Sequence, residues 1–207
     1  MPYTNTPFSQ AVFRMFNNLA SNLGDTLPDN SSEITLIKAY LFGGCAVHFH
    51  TGPRVTNDVD ARLERVRSFP NQTITISPVY FKDENGLRKT LIFDRNFDIS
   101  LATLDPAYED RALLLYTTES NLVEIYLVSA VDIAVSKLGR FGENDKKDIE
   151  NLYKNNLFSI REFLELAYEA HSYCAITPDK LIFNIEEATE AVYDLLEYQT
   201  RHYVHSE

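Results

Sequence analysis

Apolar residues recur at Phe8, Val12, Phe16, Leu19 and Leu23, three or four positions apart, and predict an amphipathic helix over Pro7 to Leu23. Ile34 to Phe42 is β-branched and aromatic and runs into Gly43-Gly44, the pattern of a strand entering a tight turn. From Asn57 to Leu63 the pattern alternates: Val59, Ala61 and Leu63 on one parity, Asp58, Asp60 and Arg62 on the other. That predicts one short strand with a buried and a polar face. Gln72 to Phe81 and Leu87 to Phe93 flank Asp83-Glu84-Asn85-Gly86, a hairpin around an Asn-Gly turn. Phe97 to Leu101 reads as a further strand, Pro106 opens a short helix, and Leu122 to Val128 is another strand. The period changes at Ser129. Ser129 with Asp132 resembles a capping box opening a helix over Ala130 to Phe141. Asp145 to Leu152, Ser159 to His171, and Thr177-Pro178 to about Tyr198 then carry helical spacing. The order predicts an α+β fold. A mixed-sheet core with an N-terminal helix occupies residues 1–128, the Ile34 strand, the Asp58 strand and the hairpin sharing one sheet. A helical C-terminal region, 129–207, packs on it.

Composition narrows the class. The chain has 207 residues, 44% hydrophobic and 24% charged, ordinary for a globular protein. Lys plus Arg is 19 and Asp plus Glu is 30, a net charge of −11, which argues against broad DNA coating. The longest apolar stretch, Leu41 to Phe49, is far short of a membrane span, and the polar start carries no secretory signal. Cys45 and Cys174 form no CxxC, so neither a disulfide framework nor a zinc ribbon is expected. The expected location is the reducing cytoplasm.

The chemistry concentrates between Gly43 and Asp60. Asp58 and Asp60, two apart on a strand, leave the same face with Cα atoms about 6–7 Å apart. Carboxylates brought to 4 Å repel by about 4 kcal/mol at an effective dielectric near 20, so a cation between them is expected. Mg²⁺ takes one or two carboxylates plus substrate phosphates. The upstream glycines would bring bare N–H groups to those phosphates where a helix begins at Cys45 or Ala46. Strand, Gly-Gly turn, short helix and Asp-x-Asp strand together describe a metal–triphosphate site.

Gly43-Gly44-Cys45-Ala46-Val47 with Arg54-Val55-Thr56-Asn57-Asp58-Val59-Asp60 resembles the signature of the DNA polymerase β-like nucleotidyltransferase superfamily. The Gly-Gly-x-Ala form with Arg-x-Thr ahead of the acids is similar to the bacterial branch holding the abortive-infection, type IV toxin-like enzymes and their uncharacterised relatives. Asp132 to Phe141, containing Lys137 and Arg140, followed by Asp145 and Asp148-Ile149, resembles that branch's Lys-Leu-x-x-Arg helix and the acidic helix after it. The resemblance implies Mg²⁺ or Mn²⁺ held by Asp58 and Asp60, and phosphates met by Gly43 and Gly44. It further implies a nucleotide faced by Lys137 and a pocket completed by Asp145 and Asp148. Arg54, Thr56 and Arg140 join the nucleotide-binding set. Two departures stand out. Asn144 occupies the position where the branch carries Arg, and the third carboxylate lacks a clear motif, Asp98 fitting best with Asp94 behind it.

The implied activity is Mg²⁺-dependent transfer of a nucleoside monophosphate from an NTP to a hydroxyl of RNA, such as tRNA, or of a protein. Asp98 or Asp145 would orient the acceptor. The implied setting is a toxin–antitoxin or phage-defence system, with an antitoxin partner restraining the enzyme. The competing reading is a degenerate nucleotidyltransferase-like module that binds nucleotide or a protein without turnover. Elsewhere, His48-x-His50 falls within a predicted helix, where i and i+2 face apart, so no zinc site is expected. Arg54, Arg62, Arg65 and Arg67 form the densest basic cluster, the expected dock for an RNA acceptor. Ile185, Ala188, Val192, Leu195 and Leu196 read as a core-facing stripe.

Overall fold

The computed structural model describes residues 1–25, 35–52, 54, 56–66, 74–173 and 178–204. The fold is α+β, and the chain divides into two units, Met1–Phe97 with Glu109–Val128, and Asp98–Tyr108 with Ser129–Glu207.

In the first unit helix α1, Pro7–Gly24, starts where expected: Pro7 presets the first turn, and the Thr6 hydroxyl accepts from Ser9 N–H. Its stripe of Phe8, Val12, Phe16, Leu19 and Leu23 is buried. Phe13 stacks on Tyr116 with ring centroids 4.6 Å apart, and Phe8 meets Phe81 at 6.2 Å. Strand β1, Ile37–Leu41, precedes helix α2, Gly43–Thr51. Residue Ile34 lies outside the described residues, as do Val55, Arg67, Gln72, Thr73, Cys174 and Thr177.

The predicted strand at Asn57 to Leu63 is two strands, β2, Asp58–Val59, and β3, Ala61–Arg65. Val59 and Ala61 are both buried, as the alternation required. The chain changes partner at Asp60. Asp94 N–H donates to Val59 C=O at 3.0 Å, tying β2 to strand β5, Arg88–Phe93, whereas Phe42 N–H donates to Asp60 C=O at 2.8 Å, tying the next residues to β1. The single sheet expected is therefore two mixed sheets. One has the order β3-β1-β7-β6, with β6, Leu113–Thr117, and β7, Val123–Leu127. The other is β2-β5-β4, with β4, Val79–Lys82. In the first, β1 runs antiparallel to β3 and parallel to β7, with Leu41 opposite both Ala61 and Leu127. In the second, Asp58 pairs with Ile92 in parallel and Lys82 with Arg88 antiparallel.

The hairpin closes through Asp83, whose carboxylate accepts from Asn85 and Leu87 N–H at 3.0 and 2.9 Å, with Gly86 at φ 77°. Its first arm is shorter than predicted, because residues 74–78 form no strand. The strand expected at Phe97 to Leu101 is instead a 3-10 turn, Ile99–Leu101, capped by Asp98: its carboxylate accepts from Ser100 N–H at 2.9 Å and turns the chain. The Pro106 helix is also of the 3-10 type, Pro106–Arg111. Strand β6 escaped prediction because Leu113, Leu114 and Leu115 do not alternate. It is an edge strand with an irregularity between Leu114 and Tyr116.

The second unit holds α3, Ala130–Ser136, α4, Glu143–Lys154, α5, Ile160–Tyr173, and α6, Pro178–Val204. Ser129 caps α3, accepting from Asp132 N–H at 3.2 Å. Helix α3 stops five residues before Phe141, which adopts φ 50°. Ile133, Leu138, Ile149, Leu152, Phe163, Leu181, Ile185, Ala188 and Val192 are buried. Leu195 is half-buried, and the side chain of Leu196 lies outside the description. Asn184 donates to the Leu138 C=O at 2.7 Å, satisfying a carbonyl that the end of α3 leaves open. Among the described residues, no helix is long and apolar enough to cross a membrane.

Candidate functional site

Helix α2 begins at Gly43 rather than at Cys45 or Ala46, and its first helical hydrogen bond runs from Ala46 N–H to Phe42 C=O. The N–H groups of Gly43, Gly44 and Cys45 therefore have no acceptor within the helix. Gly43 sits at φ 57°, and a Cβ added there would lie 1.7 Å from Asp60 Oδ2. The Asp60 carboxylate thus occupies the space a side chain at 43 would need. At Gly44 a Cβ would come within 3.3 Å of Thr56 Cβ and 3.7 Å of Arg54 Nη2. The Thr56 hydroxyl donates to Asp58 Oδ1 in a close contact, and Asp58 is exposed at the start of β2.

Gly43, Gly44, Arg54, Thr56, Asp58 and Asp60 are therefore one structural feature. The Cys45 thiol behind them is fully buried, and burial, then the charges of Asp60 and Asp58, push it well above its ordinary range. It stays protonated and unreactive.

Asp94 follows β5. Ile92 N–H donates to Asn57 C=O and Asp94 N–H to Val59 C=O, at 2.9 and 3.0 Å, so Asp94 lies two rungs beyond the Asp58–Ile92 pair, opposite Asp60. Asp98 is exposed and belongs to the second unit. Its hydrogen bonds with Ser100 hold its carboxyl below the ordinary range. The motif pattern favours Asp98 as the third acid, whereas the pairing of β2 with β5 sets Asp94 opposite Asp60. Among the described residues, no cluster of three or more His, Cys, Asp or Glu is arranged to hold a metal. A cation here would take two carboxylates, Asp58 and Asp60, with the rest of its shell from phosphate and water.

A cavity of about 330 Å³ adjoins the motif, lined by Arg54, Thr56 and Asn57, by Tyr3, Phe8 and Phe81, and by His48 and Lys89. Its aromatic wall comes from Tyr3 ahead of α1, from α1 and from β4, which no local motif connects to the acids. His48 Nδ1 donates to Arg54 C=O at 2.8 Å, and Nε2 meets the Thr6 hydroxyl at 2.8 Å. Burial lowers its pKa, so the ring is a neutral strut that fixes the Arg54 backbone. His50 is likewise kept neutral by burial, with Nε2 donating to Val128 C=O at 2.8 Å. The two rings serve different partners, as their helical spacing requires. Of the remaining arginines, Arg62 pairs with Glu109.

In the second unit Lys137, Asp145 and Asp148 are buried together. Lys137 Nζ lies 2.8 Å from Asp148 Oδ2 and 3.5 Å from Asp145 Oδ1. Arg140 grips Asp145 with two bonds of 2.7 Å, and Gly142 N–H adds a third at 3.0 Å. Burial would raise the Asp145 pKa, but Arg140, the Lys137 charge and the Gly142 N–H outweigh it and leave the group below its ordinary range. Its acceptor sites are fully used, which makes it a poor proton acceptor.

A family model described as a nucleotidyltransferase of unknown function (DUF6036) matches residues 17–199, spanning the glycine turn, the acids and the helical region. No curated protein matches the sequence.

Proposed function

The chain belongs to this nucleotidyltransferase family of unknown function, and from that premise we propose that it moves a nucleoside monophosphate from an NTP to a hydroxyl of RNA or protein. The observation that carries the reading is the seating of the Asp60 carboxylate against the bare Cα of Gly43. It fuses the acids to the first turn of α2. Asp58 and Asp60 would hold Mg²⁺ or Mn²⁺, which would neutralise charge developing on the phosphates. The N–H groups of Gly43 and Gly44 would receive phosphate oxygens, a role the helix N-terminus favours. Arg54 and Thr56, on the cavity wall, would orient the nucleotide, and the cavity of about 330 Å³ is within the usual range for a small-molecule site.

In the transfer, the acceptor hydroxyl oxygen forms a bond to the α-phosphorus. The bond from that phosphorus to the bridging oxygen breaks, and pyrophosphate leaves. The acceptor proton passes to a carboxylate, for which Asp94 is better placed than Asp145, whose oxygens are already occupied. Positioning and charge neutralisation supply most of the catalysis. The roles implied for Lys137, Arg140, Asp145 and Asp148 are separable by experiment. Lys137→Met loses NTP affinity at unchanged fold if Lys137 faces the nucleotide, and loses folding stability alone if its ion pairs are its whole role.

The test is incubation of the protein with each α-labelled NTP, Mg²⁺ or Mn²⁺, and cell extract. The expected result is a labelled RNA or protein with the parent and none with Asp58→Asn. Equal labelling by both would refute the assignment, and NTP binding without labelling would favour a non-catalytic module. The toxin role, with an antitoxin as partner, rests on the family resemblance. It predicts slower growth of bacteria expressing the parent than of those expressing Asp58→Asn at matched levels.

A further inference from the structure

The sequence is strongly acidic, yet one groove of the first unit is lined by basic groups and no acidic ones. It runs between α1 and the hairpin, has a volume of about 790 Å³, and carries Arg14, Lys82, Arg88 and Lys89 on its walls. Tyr80, on the same wall, is 74% exposed. Arg14 is distant in sequence from the three hairpin residues, and only the fold brings it to them. Part of the Arg54 to Arg67 run is already engaged, since Arg62 pairs with Glu109. In the groove, Arg14 reaches the Tyr80 C=O at 3.4 Å, and half-buried Lys89 stands 4.0 Å from Asp83.

The register connects the groove to the acids. Tyr80 lies opposite Thr90, and Lys82 opposite Arg88, so the four side chains share one face of the β2-β5-β4 sheet. Ile92, two residues beyond Thr90, is on that face too, 52% exposed, and is the partner of Asp58. One sheet face therefore carries, in line, Asp58, Ile92, then Tyr80 with Thr90, then Lys82 with Arg88. Four residues of β5 separate the first row from the last, about 13 Å.

We propose that this face is the acceptor track: a single-stranded polynucleotide lies along it, phosphates on Lys82 and Arg88, a base on Tyr80, and its terminal hydroxyl at Asp58. The role of Asp58 in this inference rests on the function proposed above; the groove does not. Basic groups spaced around an exposed aromatic ring are how single strands are held without sequence readout. An acidic peptide would match the charge but would leave Tyr80 without a flat partner.

The experiment is fluorescence anisotropy with labelled single-stranded RNA and single-stranded DNA of the same mixed sequence, and with polyglutamate, across a salt series. Calorimetry of Mg²⁺–NTP runs in parallel on the same proteins. The parent is expected to bind RNA or DNA, the better of the two naming the acceptor, and to bind polyglutamate more weakly. Lys82→Ala with Arg88→Ala should weaken that binding at least tenfold. It should also flatten the slope of log affinity against log salt by about 1.4, at 0.7 per phosphate contact on a single strand. Tyr80→Ala should weaken it about tenfold, and Tyr80→Phe, which keeps the ring, should restore it. All three variants should keep parental Mg²⁺–NTP affinity, which also certifies their fold. Absent polynucleotide binding, binding indifferent to these substitutions, or tighter binding of polyglutamate would each overturn the inference. Loss of Mg²⁺–NTP binding by the parent, with the groove results intact, would instead overturn the nucleotidyltransferase assignment and leave the track standing.

Discussion

Gly43 and Asp60 constrain each other sterically. Gly43 needs a left-handed backbone and an empty Cβ position, and Asp60 fills that position with a carboxylate oxygen. Gly43→Ala therefore meets two obstacles: about 1–2 kcal/mol for the backbone and a displaced Asp60. The expected outcome is a folded protein with NTP affinity reduced at least tenfold, read by calorimetry beside a circular dichroism melt. Asp145 belongs to a different class of residue. It is buried and bonded by Arg140 and Gly142, while Lys137 keeps Asp148 as its nearer partner, so Asp145→Asn should cost about 1–3 kcal/mol, measured by urea unfolding. The pH dependence has a definite sign. Because the folded pKa is lowered, Asp145 contributes stability above the unfolded carboxylate value of about 3.9 and loses it as pH falls through the folded value. The parent should lose urea resistance in that acid window more steeply than the variant. At this scale the sequence disclosed the two-residue spacing of the acids and the glycine turn. It ranked Asp94 behind Asp98, because only a pairing between β2 and β5 makes Asp94 a neighbour of Asp60.

Among the elements, those with a clean period were legible. The stripe of α1, the buried parity of Val59 and Ala61, and the helical region after Ser129 all follow from spacing alone. What spacing could not show was a change of partner within one alternating run. The β2 to β3 break keeps the alternation intact, so the pattern of a single strand and that of two strands in different sheets are the same. Likewise Asp98 turned a β-like stretch into a 3-10 turn through one side-chain hydrogen bond, and Leu113 to Leu115 hid an edge strand by lacking alternation. The start of α1 offers a test at this scale. Thr6 caps the helix and also meets His48, whose other nitrogen holds the Arg54 carbonyl. Thr6→Ala should destabilise the protein by about 1 kcal/mol, and Thr6→Ser should recover most of it in chemical denaturation. If the strut matters to the site, Thr6→Ala also raises the Kd for Mg²⁺–NTP modestly, whereas a purely local cap leaves it unchanged.

For the molecule as a whole, a net charge of −11 sets the background against which any phosphate-bearing partner must bind. General attraction to nucleic acid is weak at such a charge, so binding has to come from local features. Two such features lie in the first unit: the glycine turn with its paired acids, which needs a cation before it can accept a triphosphate, and the basic groove along α1 and the hairpin. The central claim is that Gly43, Gly44, Asp58 and Asp60 form a single metal–triphosphate site. Calorimetric titration of each NTP into the parent, with and without Mg²⁺, and into Asp58→Asn and Asp60→Asn, tests it most directly. The account predicts binding that requires Mg²⁺ and falls at least tenfold in either variant while the melting curves stay put. Equal affinity in the presence and absence of Mg²⁺, or in parent and variants, would contradict it.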